Sequence, residues 1–215
     1  MVDLGQIRRD YVSGPLRRAD LDPDPLRQFE RWFGEAMDSG IQDPSAMSLA
    51  TAGSDLQVTI RTVLLKRFDA GGFVFYTNYE STKARQIAEN PQVALLFPWL
   101  EQNRQVKITG VADKVPQAES LKYFLSRPRG SQLGAWVSAQ SRPIRSRDLL
   151  LGKLKEMQQR FASGDISLPE FWGGYRVSPK TIEFWQGQPD RLHDRFRYRR
   201  DPASENGWII ERLAP

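Results

Sequence analysis

The chain has no cysteine and a single histidine, His193, in 215 residues. The first absence excludes a disulfide framework, thiolate metal sites and a cysteine nucleophile, and it fits a reducing compartment. With one histidine besides, no ordinary zinc or iron donor set remains, so no metal site is expected. No apolar run approaches the length of a membrane span, and the N-terminal residues lack the apolar region of a secretory signal. A cytoplasmic protein without membrane contact is expected. Charge is not strongly one-sided: 31 Lys+Arg against 26 Asp+Glu leave +5. That excess suits small anionic ligands but is thin for a dedicated nucleic-acid binder, so no nucleic-acid partner is expected. Dinucleotide and P-loop glycine signatures are missing, and so is the G-x-S-x-G elbow.

Residues 1–22 are polar and rich in arginine (Arg8, Arg9, Arg17, Arg18), with Tyr11 as the one large aromatic. They read as a flexible arm without a core of its own. Asp24-Pro25 then suits a helix start. Leu26, Phe29, Trp32, Phe33, Ala36 and Met37 recur at helical spacing and predict a core-facing stripe, ended near Ser39-Gly40. Strands rich in Val, Ile, Thr, Phe and Tyr are predicted over 46–52, 57–68 and 72–77, with tight turns between them. A short helix follows over 81–90, capped by Ser81 or Glu80, then strands over 92–97 and 104–115. Helices are predicted over 116–126, 131–138 and 146–161, the last with Leu149, Leu150, Leu154, Met157 and Phe161 on one side. Strands return over 173–178, 181–186, 194–200 and 208–213. This order predicts one mainly β, α+β domain over 23–215, in which the late strands complete an early antiparallel sheet as a barrel surrounded by helices.

Several stretches carry charge where a core has no use for it. Arg191, His193 and Arg195 recur at i, i+2 and i+4, so an extended chain puts them in one row suited to a phosphate. The plain alternative is an Arg-rich edge strand. Arg61 and Lys66 flank Thr62-Val-Leu-Leu65 and fall on opposite faces of a regular strand, unless a bulge turns one of them. Tyr76 and Thr77 lead into a helix start offering Ser81, Thr82 and Lys83, where free N–H groups attract phosphate; capping residues look the same. Tyr123 and Arg127 lie four apart on one helix face, with Ser131 just beyond. A phenol, a guanidinium and a hydroxyl together suit a phosphate; the alternative is a helix end with ordinary cations.

Arg61-Thr-Val-Leu-Leu-Lys66, Phe75-Tyr-Thr-Asn78, Leu95-Leu-Phe-Pro-Trp99, Arg104-Gln-Val106, Ser126-Arg-Pro-Arg129, Gly134-Ala-Trp-Val-Ser138, Phe171-Trp-Gly-Gly174, Ile182-Glu-Phe-Trp-Gln-Gly187, Arg191-Leu-His-Asp-Arg-Phe196 and the ending Glu211-Arg-Leu-Ala-Pro215 occur in this order. In that order they resemble the pyridoxamine/pyridoxine 5'-phosphate oxidase family, from about Arg8 to the C-terminus. The resemblance implies a homodimer of FMN-binding split barrels with flavin sites at the subunit interface. It implies oxidation of pyridoxamine 5'-phosphate or pyridoxine 5'-phosphate to pyridoxal 5'-phosphate, with dioxygen reduced to hydrogen peroxide. FMN would be held by Arg61, Thr62, Val63, Leu64, Leu65, Lys66, Tyr76, Thr77, Lys83, Gln105, Gln140, Ser141, Trp185 and Arg195. The substrate phosphate would meet Lys66, Tyr123, Arg127 and Ser131. Arg191 and His193 would hold the pyridine part as the catalytic pair, and Arg8 and Tyr11 would close over it. At Thr82 the family often carries an arginine beside the lysine; its loss here implies, at most, somewhat weaker flavin binding. A split-barrel flavin reductase or flavin-binding module is the alternative within the fold, and a basic nucleic-acid-binding barrel the alternative outside it.

Overall fold

The structure, a computed structural model, describes Val2, Tyr11 and residues 13–215. Arg8 lies outside the described residues. From Ser13 onward the expected arm is packed: Leu16 is buried, its N–H donates to Asp194 Oδ2 at 3.0 Å, and Asn103 Nδ2 donates to Ser13 Oγ at 3.0 Å.

Helix α1 (Pro25–Asp38) starts as its sequence requires: Asp24 Oδ1 accepts from the Leu26 N–H at 2.9 Å, and proline fills the first turn. Phe29, Trp32 and Ala36 are buried along one stripe. Met37, expected on that stripe, is 56% exposed; one residue past Ala36 turns it about 100° away from the core. The remaining helices are α2 (Thr82–Glu89), α3 (Gln117–Ser126), α4 (Arg129–Val137) and α5 (Arg147–Arg160). The Ser81 hydroxyl caps α2, accepting from the Ala84 N–H. Pro128 sets the start of α4 two residues earlier than expected. The expected apolar side of α5 is not a core face. None of its residues is buried, Leu149 is 53% exposed, and only Leu154 and Met157 pack partly against Phe124, Leu133 and Phe161.

The strands are β1 (Ala46–Ala52), β2 (Val58–Leu64), β3 (Arg67–Asp69), β4 (Gly72–Asn78), β5 (Gln92–Trp99), β6 (Arg104–Lys114), β7 (Trp172–Gln186), β8 (Asp194–Arg200) and β9 (Trp208–Arg212). They form one sheet in the order β2-β1-β5-β6-β7-β4-β3, with β8 on β7 and β9 on β8. The single strand expected over 57–68 is broken at Leu65-Lys66, and Lys66 N–H bonds the Val74 carbonyl at 2.8 Å. The two strands expected over 173–186 are one. Trp172–Val177 pairs antiparallel with β4 and Thr181–Gln186 with β8. Pro179 sits between these two registers, where it has no N–H to give a ladder. The row of Arg191, His193 and Arg195 does not form. Pro189–Arg191 is a 3-10 turn with Asp190 and Arg191 at φ 55° and 61°, and β8 begins only at Asp194.

The chain divides into two compact units. One holds Met1–Leu49, Ala94–Gly110 and Pro179–Pro215; the other holds Ala50–Val93 and Val111–Ser178. In the first, Phe29, Trp32, Phe97 and Phe184 are buried in edge-on ring contacts at 5.1 Å (Phe29–Phe97) and 5.2 Å (Trp32–Phe184). Each such ring contributes about 1.5–3 kcal/mol through burial. In the second, Phe73, Phe75 and Val177 are fully buried, and Phe124, Leu133, Phe161, Ile166 and Trp172 form a further cluster. Among the described residues no helix is long and apolar enough to cross a membrane.

Gly173 and Gly174 let two tyrosines lie flat on β7. A Cβ at Gly173 would fall onto Tyr79 Oη and within 2.9 Å of Ser120 Oγ; one at Gly174 would come within 2.8 Å of the Tyr76 ring. Gly173→Ala should therefore cost about 1–3 kcal/mol of overpacking, read as a fall in Tm of about 4–10 °C. An unchanged Tm would show that Tyr79 moves aside freely.

Candidate functional site

Three segments of the second unit converge on one cavity. The end of β2 and the break after it bring Thr62, Val63, Leu64 and Lys66; the end of β4 and the start of α2 bring Tyr76, Thr77 and Lys83; α3 and α4 bring Tyr123, Arg127 and Ser131. Gln140 completes the lining of this ≈ 430 Å³ hollow. These residues come from positions more than 70 apart in the chain, and all were expected from the resemblance. Asn78, Gly134, Ala135, Ser138 and Trp172 also line it and were not expected.

At one end, Lys83 Nζ donates to Gln140 Oε1 at 2.8 Å and to Thr77 Oγ1 at 3.1 Å. Thr77 Oγ1 also donates to Gln140 Oε1 at 3.0 Å. Burial, and then the charge of Arg61, push the Lys83 amine down to about 8. Arg61 itself bonds Thr51 Oγ1 at 2.7 Å and Thr59 Oγ1, and burial lowers its pKa. Arg61 thus acts on this end through Lys83 rather than as a lining residue. Thr82 accepts from Arg85 Nη2 at 3.3 Å, outside the cavity lining.

At the other end stands Arg127. Its Nη1 is buried and has no hydrogen-bond partner, and burial lowers its pKa. A buried guanidinium N–H without an acceptor is costly unless something fills the place. Tyr76 and Tyr123 stack at 4.0 Å with 19° between their planes. Burial first, then Glu119 and Tyr123, raise the Tyr76 phenol to about 12, so both it and the burial-raised Tyr123 stay protonated donors at neutral pH. Lys66 and Ser131 border the same end.

The other expected residues lie elsewhere. Leu65 is buried rather than lining the cavity, and Ser141 is exposed at φ 70°. Tyr11, Gln105, Trp185, Arg191, His193 and Arg195 belong to the first unit. There, Tyr11 meets the His193 ring edge-on at 5.3 Å and Trp185 at 5.7 Å. His193 Nδ1 accepts the Gln188 N–H at 3.0 Å, so the neutral ring carries its proton on Nε2 and can donate there. His193 also lines a hollow with Leu192, Arg212, Leu213, Ala214 and Pro215. Arg191 is exposed. Arg195 is committed: Glu183 Oε1 accepts from it at 2.9 Å, and the Ala214 carbonyl at 2.7 Å. Burial would raise the Glu183 carboxyl, but hydrogen bonds from Lys107 and Arg195 outweigh it and hold the pKa below its ordinary value.

Comparison with known proteins matches this arrangement to one family. A family described as "Pyridoxamine 5'-phosphate oxidase" matches residues 33–161, and one described as "Pyridoxine 5'-phosphate oxidase C-terminal dimerisation region" matches residues 172–215. The chain is 58% identical over 214 residues to a pyridoxine/pyridoxamine 5'-phosphate oxidase of Crocosphaera subtropica, covering 100% of both chains. It is 56% identical to another of Aliarcobacter butzleri, again over 100% of both. Among solved structures, PhzG from Burkholderia lata, in complex with tetrahydrophenazine-1-carboxylic acid, superposes with TM-score 0.86 at 29% identity, over 94% of this chain and 99% of that one. A pyridoxamine 5'-phosphate oxidase-related FMN-binding protein from Nostoc punctiforme, at TM-score 0.71 and 17% identity over 91% of this chain and 100% of that one, shares the fold. The expected antiparallel split barrel with helices is thus the fold observed. The chain belongs to the pyridoxine/pyridoxamine 5'-phosphate oxidase family.

Proposed function

We propose that this protein oxidises pyridoxamine 5'-phosphate and pyridoxine 5'-phosphate to pyridoxal 5'-phosphate, with FMN as cofactor and dioxygen as the final acceptor. The observation that carries this reading is the cavity with an anion-seeking group at each end: the desolvated Lys83 amine at one, the unpartnered Nη1 of Arg127 at the other. Two phosphate monoesters, each carrying roughly −1.5 to −2, answer that pair, and the hydroxyl, amide and amine donors present fit both. Thr77, Lys83 and Gln140 would hold the flavin phosphate, with Arg61 behind them. Lys66, Tyr123, Arg127 and Ser131 would hold the substrate ester, through charge-assisted bonds of about 1.5–3 kcal/mol each.

FMN, when bound, takes up two electrons from the substrate's C4' and passes them to dioxygen, giving hydrogen peroxide. The chain's own part is placement. Its cations fix the ester and leave the reacting carbon free. Arg191 and His193, with Nε2–H available on the histidine, are proposed to hold the pyridine ring, and Tyr11 to cover it. Arg8, Leu65, Gln105, Ser141, Trp185 and Arg195 keep their proposed roles as ligands. For the amine substrate, water then hydrolyses the imine to the aldehyde and ammonia.

We further propose a homodimer in which a second subunit completes the flavin site. The match to a dimerisation region supports dimerisation. So does β2, which ends the sheet and leaves Val58, Ile60 and Leu64 exposed at 71%, 68% and 40%; an uncovered apolar edge strand invites association. We take 23–215 as one domain after an arm over 1–22, and a cytoplasmic location.

The protein should purify yellow and consume oxygen with either phosphate ester. A colourless preparation that also fails to take up FMN contradicts the proposal. Lys83 adds a pH signature. Its folded pKa of about 8 lies below the ordinary 10.5, so between those values the unfolded chain holds more protons, and the group's contribution to apoprotein stability rises with pH. Flavin affinity must run the other way, weakening as pH passes about 8 and the amine loses its charge. Titrations of apoprotein with FMN from pH 7 to 9.5 check this; a flat affinity would remove Lys83 from the phosphate site.

A further inference from the structure

Trp172 is the one large aromatic lining the cavity that no ligand role has claimed. It opens β7, opposite Asn78 of β4, and is 7% exposed. Read alone, it is a core side chain. Its surroundings say more. The Arg127 guanidinium carbon stands 4.7 Å from the centre of its ring. Its plane lies 11° from that of Tyr76 at 5.5 Å and 9° from that of Tyr123 at 6.2 Å. Tyr123 and Arg127 leave α3 one turn apart, at and just beyond its C-terminal end, where the backbone alone fixes a long side chain poorly. Phe124, between them in sequence, meets Trp172 edge-on at 5.4 Å.

We propose that Trp172 is a positioning residue for the substrate phosphate: its ring face holds the Arg127 guanidinium against the cavity wall while its parallel stack fixes the phenol of Tyr123. The contact with Arg127 is to a π face, so it occupies none of the guanidinium N–H groups. That accounts for the buried Nη1 with no acceptor. Arg127 is oriented, desolvated and left with an open donor, which is the state an incoming phosphate oxygen needs. A hydrogen-bonding partner in place of the ring would orient the guanidinium equally well but consume the donor. The inference rests on the reading of Arg127 as a phosphate ligand.

The test compares Trp172→Leu with Trp172→Phe in the full-length, FMN-loaded protein, using pyridoxine 5'-phosphate and pyridoxine without its phosphate. Trp172→Leu should raise KM for the phosphate ester about tenfold, the size expected for a desolvated cation–π contact. It should leave kcat and flavin content within about twofold, and kcat/KM for the unphosphorylated compound nearly unchanged. Trp172→Phe keeps a ring face and should recover most of the loss. On an Arg127→Ala background, Trp172→Leu should add nothing, because the pair acts as a unit. Equal losses for both compounds, or full additivity with Arg127→Ala, would overturn the platform role and leave Trp172 as ordinary core. If Arg127→Ala by itself leaves KM for the ester unaltered, the phosphate reading of Arg127 is wrong and the platform role falls with it.

Discussion

Arg127→Ala should raise KM for pyridoxine 5'-phosphate by about 30- to 100-fold while kcat changes by less than about threefold. The size follows from losing one or two charge-assisted bonds to a phosphate, about 2–3 kcal/mol in all. The split follows from place. Arg127 lines the cavity at the end bordered by Lys66, Tyr123 and Ser131, and it is proposed to grip the ester, which is the same in substrate and product. An interaction with an unreacting group strengthens ground state and transition state alike, so it appears in KM and not in kcat. Stability should change little, since Nη1 bonds nothing in the protein and only the contacts with Trp172 and Phe124 are lost. Steady-state kinetics with both phosphate esters, alongside thermal unfolding, check this. A collapse of kcat with KM unmoved would place Arg127 at the reacting end instead.

Lys83→Met should produce the opposite pairing: a protein that loses flavin yet unfolds at a higher temperature when flavin-free. The amine is 8% exposed and its pKa is held at about 8. At pH 7 it is therefore charged in a place that disfavours charge. Methionine keeps the length without the charge. Gln140 Oε1 keeps its bond from Thr77, so no acceptor there is orphaned. Removing the buried cation should raise the apoprotein Tm by a few degrees, at about 2–4 °C per kcal/mol for a chain of this size. FMN affinity should fall about 100-fold, because a dianionic phosphate would meet two neutral donors in place of a cation. Differential scanning calorimetry of the apoprotein and fluorescence titration with FMN read the two effects separately. A variant that binds FMN as well as the parent would move the flavin phosphate away from Lys83.

How much of this was legible in the sequence varies with the kind of signal. Asp24-Pro25 and Ser81 announce α1 and α2 because capping is local chemistry, and both caps are made. The strands show their apolar character wherever they are buried. The joining of 173–186 into one strand was not legible, since Ser178-Pro179 reads as a break although the chain only changes partner there. Nor was the turn at Asp190 and Arg191, because neither residue type advertises a positive φ. That turn removes the row that alternation alone suggested for Arg191, His193 and Arg195. For α5, leucine spacing predicted a buried face, but spacing cannot say whether anything lies opposite it.

The site was legible in pieces. Tyr123, Arg127 and Ser131 could be grouped by helix spacing, whereas their meeting with Lys66 and Lys83 depends on tertiary packing that only the family resemblance supplied. Trp172 escaped because a tryptophan at a strand start reads as core. Its quoted motif, Trp172-Gly-Gly174, did carry a signal: paired glycines beside an aromatic leave room for flat rings, and Tyr76 and Tyr79 occupy that room.

The central claim is that the cavity holds two phosphates, the flavin's at Lys83 and the vitamer's at Arg127. A crystal structure of the protein with FMN and pyridoxal 5'-phosphate both bound tests it most directly. The account predicts the FMN phosphate within hydrogen-bond reach of Lys83 Nζ and the pyridoxal ester within reach of Arg127 Nη1. Either phosphate at the opposite end, or both outside the hollow lined by Lys66, Lys83 and Arg127, would contradict it.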